Sequence, residues 1–545
     1  MKKLLSITIV LMAVCSTAQG SSMPKVTGLR VTYKHGIQMD ICGKQVAITH
    51  TSKRKTDKAR QATYEDFENM RLYQMVIMPK GDTLTVSSKI ELLKMESVGE
   101  DTILNYPTTH IRTSINSNTM DIWYTNVLGF NGTPLPKVGI PEGLVLKISR
   151  NGNTILMAEA IEHRGLEEKL LPPSWGKMVS AEEQRSAVIQ SVVQTVDIFN
   201  QDRVGFVGGA APVVIDREQE LYTVAGGTVI LKKVQLPKHV EGLNIFAELS
   251  QYSDGDAYDR TGSVFVIPTG KKQSFLDALS SKGLNSLPSF MSDTNKYPGI
   301  VSSETFDTPV ELMRFFTPFG IRKFNHIKVQ GQVWADSTLW KQDVSHLAPL
   351  LCGEAWIGAY IGNWDSKGHK VSLKLKYYPE GMASEKSTVI PLFNTVNLLE
   401  QAGQTYPTFF DKDSMRVTFR LKKEAKNVKL VYLSTGHGGW GGGDEFNQKL
   451  NTIYLDGVKV YSFIPWREDC ATFRNLNPCS GNFSNGLSSS DLSRSNWCPG
   501  SVTNPVYIPL GDLSKGEHSI SVQIPLGEPE GGSFSYWCIS GELIY

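Results

Sequence analysis

V-S-L-K-L-K-Y, residues 371 to 377, sets an apolar side chain at every second position and a polar or charged one between. A period of two sends successive side chains to opposite faces of an extended chain, so the stretch reads as a half-buried β-strand. M-R-V-T-F-R-L at 415 to 421, the run from Val428 to Leu433 and H-S-I-S-V-Q-I at 518 to 524 repeat the pattern between turn residues. Strands with one apolar and one wettable face are the material of antiparallel sandwiches. With 48 glycines and 26 prolines the chain has turns for many such strands. Its 545 residues suit roughly three or four domains of about 150 residues.

M-R-L-Y-Q-M-V-I-M at 70 to 78 and L-V-L-K-I-S at 144 to 149 read as strands of an N-terminal β-rich accessory domain over residues 22 to 165. One segment breaks the β pattern with a helical period: from about Ala181 to Phe199, Ser180 and Glu183 form a capping box. Val188, Ile189, Val192, Val193 and Val196 then make an apolar face that has to dock on something. This predicts a packed helical connector over 166 to 204, following the P-P-S-W turn at 172 to 175, and sandwich domains over 205 to 380 and 381 to 545. The Ser-, Lys-, Asn- and Pro-rich stretch from Lys271 to Glu304 reads as a long insertion in a sandwich loop.

Lys2 and Lys3, the apolar run Leu4 to Val14 and the small residues Ser16, Thr17 and Ala18 read as a signal peptide, residues 1 to 18, cleaved after Ala18. This predicts an exported, periplasmic or secreted protein. Val14, where a small residue should precede a lipidated cysteine, argues against an anchor at Cys15. No later segment reaches the roughly 20 apolar residues of a membrane-spanning helix. Lys and Arg number 56 against 54 acids, a net charge of +2, which argues against a dedicated nucleic-acid binder. Beyond the signal stand Cys42, Cys352, Cys470, Cys479, Cys498 and Cys538, with no C-x-x-C pair. The crowding of four near the C-terminus predicts one or two disulfides there.

Two glycine-rich acidic motifs carry the chemistry: G-D-A-Y-D-R-T-G at 255 to 262 and G-H-G-G-W-G-G-G-D-E-F at 436 to 446. Carboxylates beside aromatic rings suit a sugar or amide substrate, because rings cover apolar sugar faces while ionisable oxygens handle protons and hydroxyls. Each residue also has a plainer reading. Asp259 with Arg260 is equally an ion pair in a turn, Glu445 a solvated acid, Arg494 and Trp497 packing around a disulfide, and Trp364 a core or rim aromatic. His437, Asp444 and Glu445 match no metal-ligand spacing, and no G-x-S-x-G elbow supports a serine triad.

G-D-A-Y-D-R-T-G-S-V-F-V, R-F-F-T-P-F-G at 314 to 320, D-E-F-N-Q-K-L-N-T-I-Y-L-D-G at 444 to 457 and S-R-S-N-W-C-P-G at 493 to 500 occur in that order. In this the chain resembles the bacterial peptide:N-glycosidase F family of secreted amidases over roughly residues 225 to 545, some longer members having an added N-terminal domain. The resemblance implies two adjacent eight-stranded antiparallel jelly rolls, here after a β-rich domain and a helical connector, with the site in the cleft between them. It implies hydrolysis of the amide joining Asn to the first N-acetylglucosamine of N-linked glycoproteins and glycopeptides, by a monomer without metal or organic cofactor. Carried over by position, Asp259 is the essential carboxylate and Glu445 the second. Arg260 is a guanidinium for holding Asp259 or a substrate oxygen. Arg494, Trp497, Trp364, His437 and Tyr258 are substrate-binding neighbours, and Cys479 pairs with Cys498. The chain departs from the pattern where Gly362 replaces a functional glutamate, a role that is either missing or taken over by Asp365 or another group. It departs again where His437 replaces a tryptophan and where both acidic motifs lack flanking cysteines. Two carboxylates would serve an endo-acting glycoside hydrolase as well, and a non-catalytic glycan-binding sandwich is the third reading.

Overall fold

The computed structural model describes residues 25–50, 59–79, 81–167, 169–208, 215, 220–280, 282–379, 381–438, 443–481, 484–526 and 534–545. The signal peptide read at 1 to 18, Cys15, and Trp440 with its neighbouring glycines lie outside the described residues. Among the described residues no helix is long and apolar enough to cross a membrane. The chain forms two compact units, Met1–Val192 and Val193–Tyr545.

The first unit is built on one 12-stranded sheet in which sequence neighbours mostly pair as hairpins. Both strands read from the sequence are present, as Arg71–Ile77 and Leu144–Arg150. Leu29, Val31, Ile41, Ile122, Leu144 and Ile148 fill its core. The helix is shorter than its pattern suggested, ending at Val192 rather than Phe199. Its capping box is formed: the Ser180 amide donates to Glu183 Oε2 at 2.8 Å and the Glu183 amide to Ser180 Oγ at 3.1 Å. The expected docked apolar face is not. None of its residues is buried and Ile189 is 47% exposed. Gln184 instead ties the helix down by donating to the carbonyls of Gln74 and Leu84 at 2.8 and 2.9 Å. Val193, Thr195 and Val196 are β-branched and favour extended backbone. Val193 follows the helix end, and Thr195 and Val196 enter the strand Gln194–Val204, which pairs antiparallel with His369–Tyr378 and packs Val196 against the core of the second unit. That strand is therefore part of the first sandwich, not of a connector.

The second unit holds two sandwiches. In the first, a sheet ordered Gln194–Val204, His369–Tyr378, Asn244–Ser253, Thr338–Asp343 faces one ordered Tyr222–Val224, Val229–Gln235, Glu354–Ile361, Thr261–Ile267, Val310–Phe316, Val502–Thr503. The short edge strands Tyr222–Val224 and Val502–Thr503 carry it beyond eight. The alternation at 371 to 377 is real: Val371, Leu373, Leu375 and Tyr377 are buried against Ile245, Leu249, Ile357 and Phe315. The second has four strands on four, Val389–Asn394, Tyr536–Ile544, Ala425–His437, Val506–Leu513 over Met415–Leu421, Gly516–Gln523, Asn451–Leu455, Val458–Phe463. Residues 415 to 421 alternate buried and exposed without a break.

The stretch from Lys271 to Glu304 is an insertion between the strands Thr261–Ile267 and Val310–Phe316, as read, but it is folded. A capped helical turn Phe275–Leu279 buries Phe275 and Leu279 in an apolar seam that also takes Tyr360, Val396, Leu399 and Cys538. Its hairpin, Ser289–Ser292 with Asn295–Pro298, sends Tyr297 into the second core. Burying a ring such as Phe275 contributes about 1.5–3 kcal/mol, so the insertion binds the two sandwiches into one body.

Candidate functional site

Asp259 stands in the turn that joins the buried strands Asn244–Ser253 and Thr261–Ile267. The turn begins where Gly255 passes Asp365 so closely that a Cβ would lie 2.2 Å from its Oδ1. It is braced from beneath by Asp256. This nearly buried carboxylate accepts from Arg260 Nε at 2.7 Å and Nη2 at 3.3 Å, and from the Tyr258 amide at 3.1 Å. His369 Nε2 lies 3.4 Å away. Burial alone would raise the Asp256 pKa; His369 and Arg260 outweigh it and hold the group well below the usual carboxylate range. Thr317 Oγ1 accepts from the Arg260 amide at 2.7 Å and donates to the Tyr258 carbonyl at 3.0 Å. The backbone on both sides of Asp259 is thus fixed.

Glu445 follows the strand Ala425–His437 of the other sandwich. Ser495 clamps its loop: the Ser495 amide donates to the Glu445 carbonyl at 3.0 Å and its hydroxyl to the Asp444 carbonyl at 2.5 Å. Asp444 itself faces inward and accepts from Trp537 Nε1 at 2.7 Å. The two carboxylates meet on one nitrogen. Arg494 Nη1 donates to Asp259 Oδ2 at 3.1 Å and to Glu445 Oε1, while Nη2 donates to the Ser489 carbonyl at 2.7 Å. The guanidinium is buried, its carbon 4.5 Å from the Trp497 ring centre and 5.0 Å from that of Phe446.

One cation facing two carboxylates leaves an excess negative charge in a poorly hydrated place. Burial, which outweighs the attraction of Arg494, raises the pKa of Asp259. Burial does the same at Glu445, where the charge of Asp259 adds to it. The pair can therefore hold a proton near neutrality while one member stays available as a base.

The remaining sequence-read residues divide by exposure. Tyr258 and Trp364 are each 57% exposed. They lie at one end of the same sheet, since Gly262 pairs with Ile361 and the Gly362 amide donates to the Thr261 carbonyl at 3.0 Å. Trp497 and His437 are buried behind the carboxylates, not open on the surface. Trp497 Nε1 donates to the Gly436 carbonyl at 3.0 Å, and His437 packs against Trp497 and Tyr536. Arg260 holds Asp256; the partner of Asp259 is Arg494. Asp365 caps a turn, accepting from the amides of Lys367 and Gly368 at 2.8 Å each.

Three contributors escaped the sequence reading. Asp256 stands four residues before Arg260, a spacing that was the available signal. Thr317 lies inside R-F-F-T-P-F-G. Glu400, on the connection between the strands Val389–Asn394 and Met415–Leu421 of the second sandwich, gave no local sign. A Cβ at Gly362 would lie 3.5 Å from Glu400 Oε2, which accepts from the Tyr360 hydroxyl at 3.3 Å. A carboxylate thus stands beside the position where Gly362 lacks a side chain.

The expected pairing of Cys479 with Cys498 is overturned: Cys498 bonds to Cys470, their Cα atoms 5.1 Å apart. The Arg467 amide donates to the Arg494 carbonyl at 2.9 Å and the Arg494 amide to that of Arg467 at 3.1 Å, which ties together the two segments that carry Cys470 and Cys498. The Cys479 amide donates to the Phe319 carbonyl at 3.1 Å, and its side chain stays a free thiol.

Fold and site together define a two-sandwich β protein with a buried acidic pair at the seam. Residues 195–377 match the family description "Peptide-N-glycosidase F, N terminal", residues 405–544 "Peptide-N-glycosidase F, C terminal", and residues 40–174 "N-glycanase peptide, N-terminal domain". The solved structure of PNGF-II in one crystal form shares 38% identity with the chain, covers 96% of it and 99% of its own length, and superposes with a TM-score of 0.84. In a second crystal form the values are 38%, 95%, 98% and 0.74. PNGase F from Flavobacterium meningosepticum shares 16% identity over 64% of this chain and 95% of its own, with a TM-score of 0.42. No curated protein sequence matches the chain. The chain belongs to the peptide:N-glycosidase F family.

Proposed function

We propose that this protein hydrolyses the amide between asparagine and the first N-acetylglucosamine of N-linked glycoproteins and glycopeptides, releasing the whole glycan. The observation that carries this reading is the convergence of Asp259 and Glu445, from separate sandwiches, on one nitrogen of buried Arg494. An amide needs a base to draw a proton from water and an acid to protonate the departing nitrogen, and two coupled carboxyls with raised pKa supply both. In this scheme the ionised Asp259 accepts a proton as water oxygen attacks the side-chain carbonyl carbon. Glu445 hydrogen-bonds to the peptide amide or the water, and the C–N bond breaks as the proton taken up by Asp259 passes to the departing nitrogen. Asparagine becomes aspartate and the sugar leaves as a glycosylamine. The positive Arg494 balances the negative charge that shifts between the carboxylates. Tyr258 and Trp364 offer exposed rings to sugar faces, and Glu400 supplies the carboxylate that Gly362 does not. The stretch from Met1 to Ala18 supports export, where such glycoproteins would be met.

Mass spectrometry of a denatured N-glycoprotein treated in heavy-oxygen water tests the reading, with Asp259→Asn as control. Heavy-oxygen aspartate at former glycan sites, absent with the control, is expected. A single N-acetylglucosamine left on asparagine would make the protein an endoglycosidase, and intact glycoprotein would leave it a binding protein.

A further inference from the structure

R-F-F-T-P-F-G opens with an arginine that touches neither carboxylate. Arg314 and Glu311, on the strand Val310–Phe316, are both buried. Arg314 Nε donates to Glu311 Oε1 at 3.2 Å, Nη2 donates to Oε2, and the Ser263 hydroxyl donates to Oε1 at 2.7 Å. From this anchor in the first sandwich the guanidinium crosses to the second, where Nη1 donates to the Cys538 carbonyl and to Thr435 Oγ1 at 3.3 Å. Burying an ion pair is costly, and apolar residues of like volume would hold the seam as well. Its place is better explained by what it orients.

A guanidinium only donates, so Thr435 Oγ1 accepts from Arg314, and its own hydrogen is free to be donated to His437 Nε2, 2.9 Å away. In that arrangement Nε2 is an acceptor and the ring hydrogen is on Nδ1. Burial, aided by the charges of Arg314 and Arg494, pushes the His437 pKa down to about 3, which agrees with a neutral ring. His437 packs 5.4 Å from Trp497, and Phe316, two residues beyond Arg314, stacks on the other ring at 4.6 Å. Over Trp497 lies Arg494.

We infer that Arg314 is a positioning residue for the acidic pair: through Thr435 it fixes the His437 tautomer and so the aromatic seat on which Arg494 rests. The catalytic part of this inference rests on the proposed amidase reading. Arg314→Met removes the anchor of two sandwiches and risks misfolding, so Thr435 is the site to vary. Long-range proton–nitrogen spectra of histidine-labelled protein, with His437 assigned by its loss in His437→Gln, should show the Nδ1–H tautomer. Thr435→Val should convert part of it to Nε2–H and lower kcat roughly tenfold with KM little changed, the scale on which small misplacement acts. Thr435→Ser, which keeps the hydroxyl, should restore both. An Nε2–H tautomer in the unaltered protein, or a folded Thr435→Val enzyme with unchanged kcat, would overturn the inference. Glycopeptides left intact by a protein with the Nδ1–H tautomer would overturn the amidase reading and support the geometry.

Discussion

Arg494 serves two carboxylates with a single nitrogen, and the proposed chemistry depends on that economy of charge. If Asp259 is the base, Asp259→Asn keeps shape and removes proton acceptance. The expected result is a kcat lower by about 10²- to 10⁴-fold with KM nearly unchanged, read from steady-state rates on a glycopeptide. The pH profile follows from the same group. Asp259 has a raised pKa, so it gains a proton, and stops acting as base, at a higher pH than an ordinary carboxylate of about 4. Activity should fall as pH drops through that raised value. Glu445→Gln removes a negative neighbour and leaves Arg494 to Asp259 alone, which lowers the Asp259 pKa; the acid limb of kcat/KM should move to lower pH while the maximum rate drops. A limb that moves upward would assign the base role to Glu445. Asp259 and Glu445 could be singled out because each sits in a local motif of glycines, acids and rings, and Arg494 only because S-R-S-N-W-C-P-G resembles a family motif. Arg494 as partner of Asp259 could not, since 235 residues separate them and only the closed seam brings them together.

At the scale of elements, the segment from Arg467 to Cys498 is what delivers Arg494. Its antiparallel backbone bridge and its disulfide hold the guanidinium from both sides. Closing a loop of 28 residues by a disulfide stabilises by about 3–4 kcal/mol in the chain-entropy account. Cys470→Ser should therefore lower the melting temperature and the activity together. Cys479→Ser should leave the crosslink intact, and a peptide map without reductant should join Cys470 to Cys498. Burial pushes the Cys479 thiol up to about 11, so it should react with alkylating agents far more slowly in the folded protein than after unfolding. A map linking 479 to 498 would refute the assignment. Strand alternation at 371 to 377 and 415 to 421 was readable because both faces of those strands are decided by one nearby core. The end of the helix was not: Val193 and Val196 fit a helical face as well as a strand, and the choice is made by pairing with His369–Tyr378, far along the chain.

The whole chain has two units, and each has a core of its own. Units with separate cores are expected to unfold as separate transitions, and one buried acid in the first unit gives a way to tell them apart. Glu65 is fully buried, accepts from the Thr133 amide at 3.2 Å through Oε2, and its Oε1 has no hydrogen-bond partner among the described residues. Burial raises its pKa to about 8 against the pull of that one bond. An acid with a raised folded pKa keeps its proton when the unfolded chain, at about 4.3, has lost it. Stability of this unit should thus decline as pH rises from about 4 towards about 8, the penalty reaching a few kcal/mol. Glu65→Gln cannot ionise and removes that penalty. Calorimetry of the full chain should show one transition that moves up in temperature in Glu65→Gln at slightly alkaline pH and hardly at all near pH 4, while the other stays in place. If both transitions moved together, or neither did, the first unit would not be unfolding on its own core with Glu65 as its pH-sensitive group.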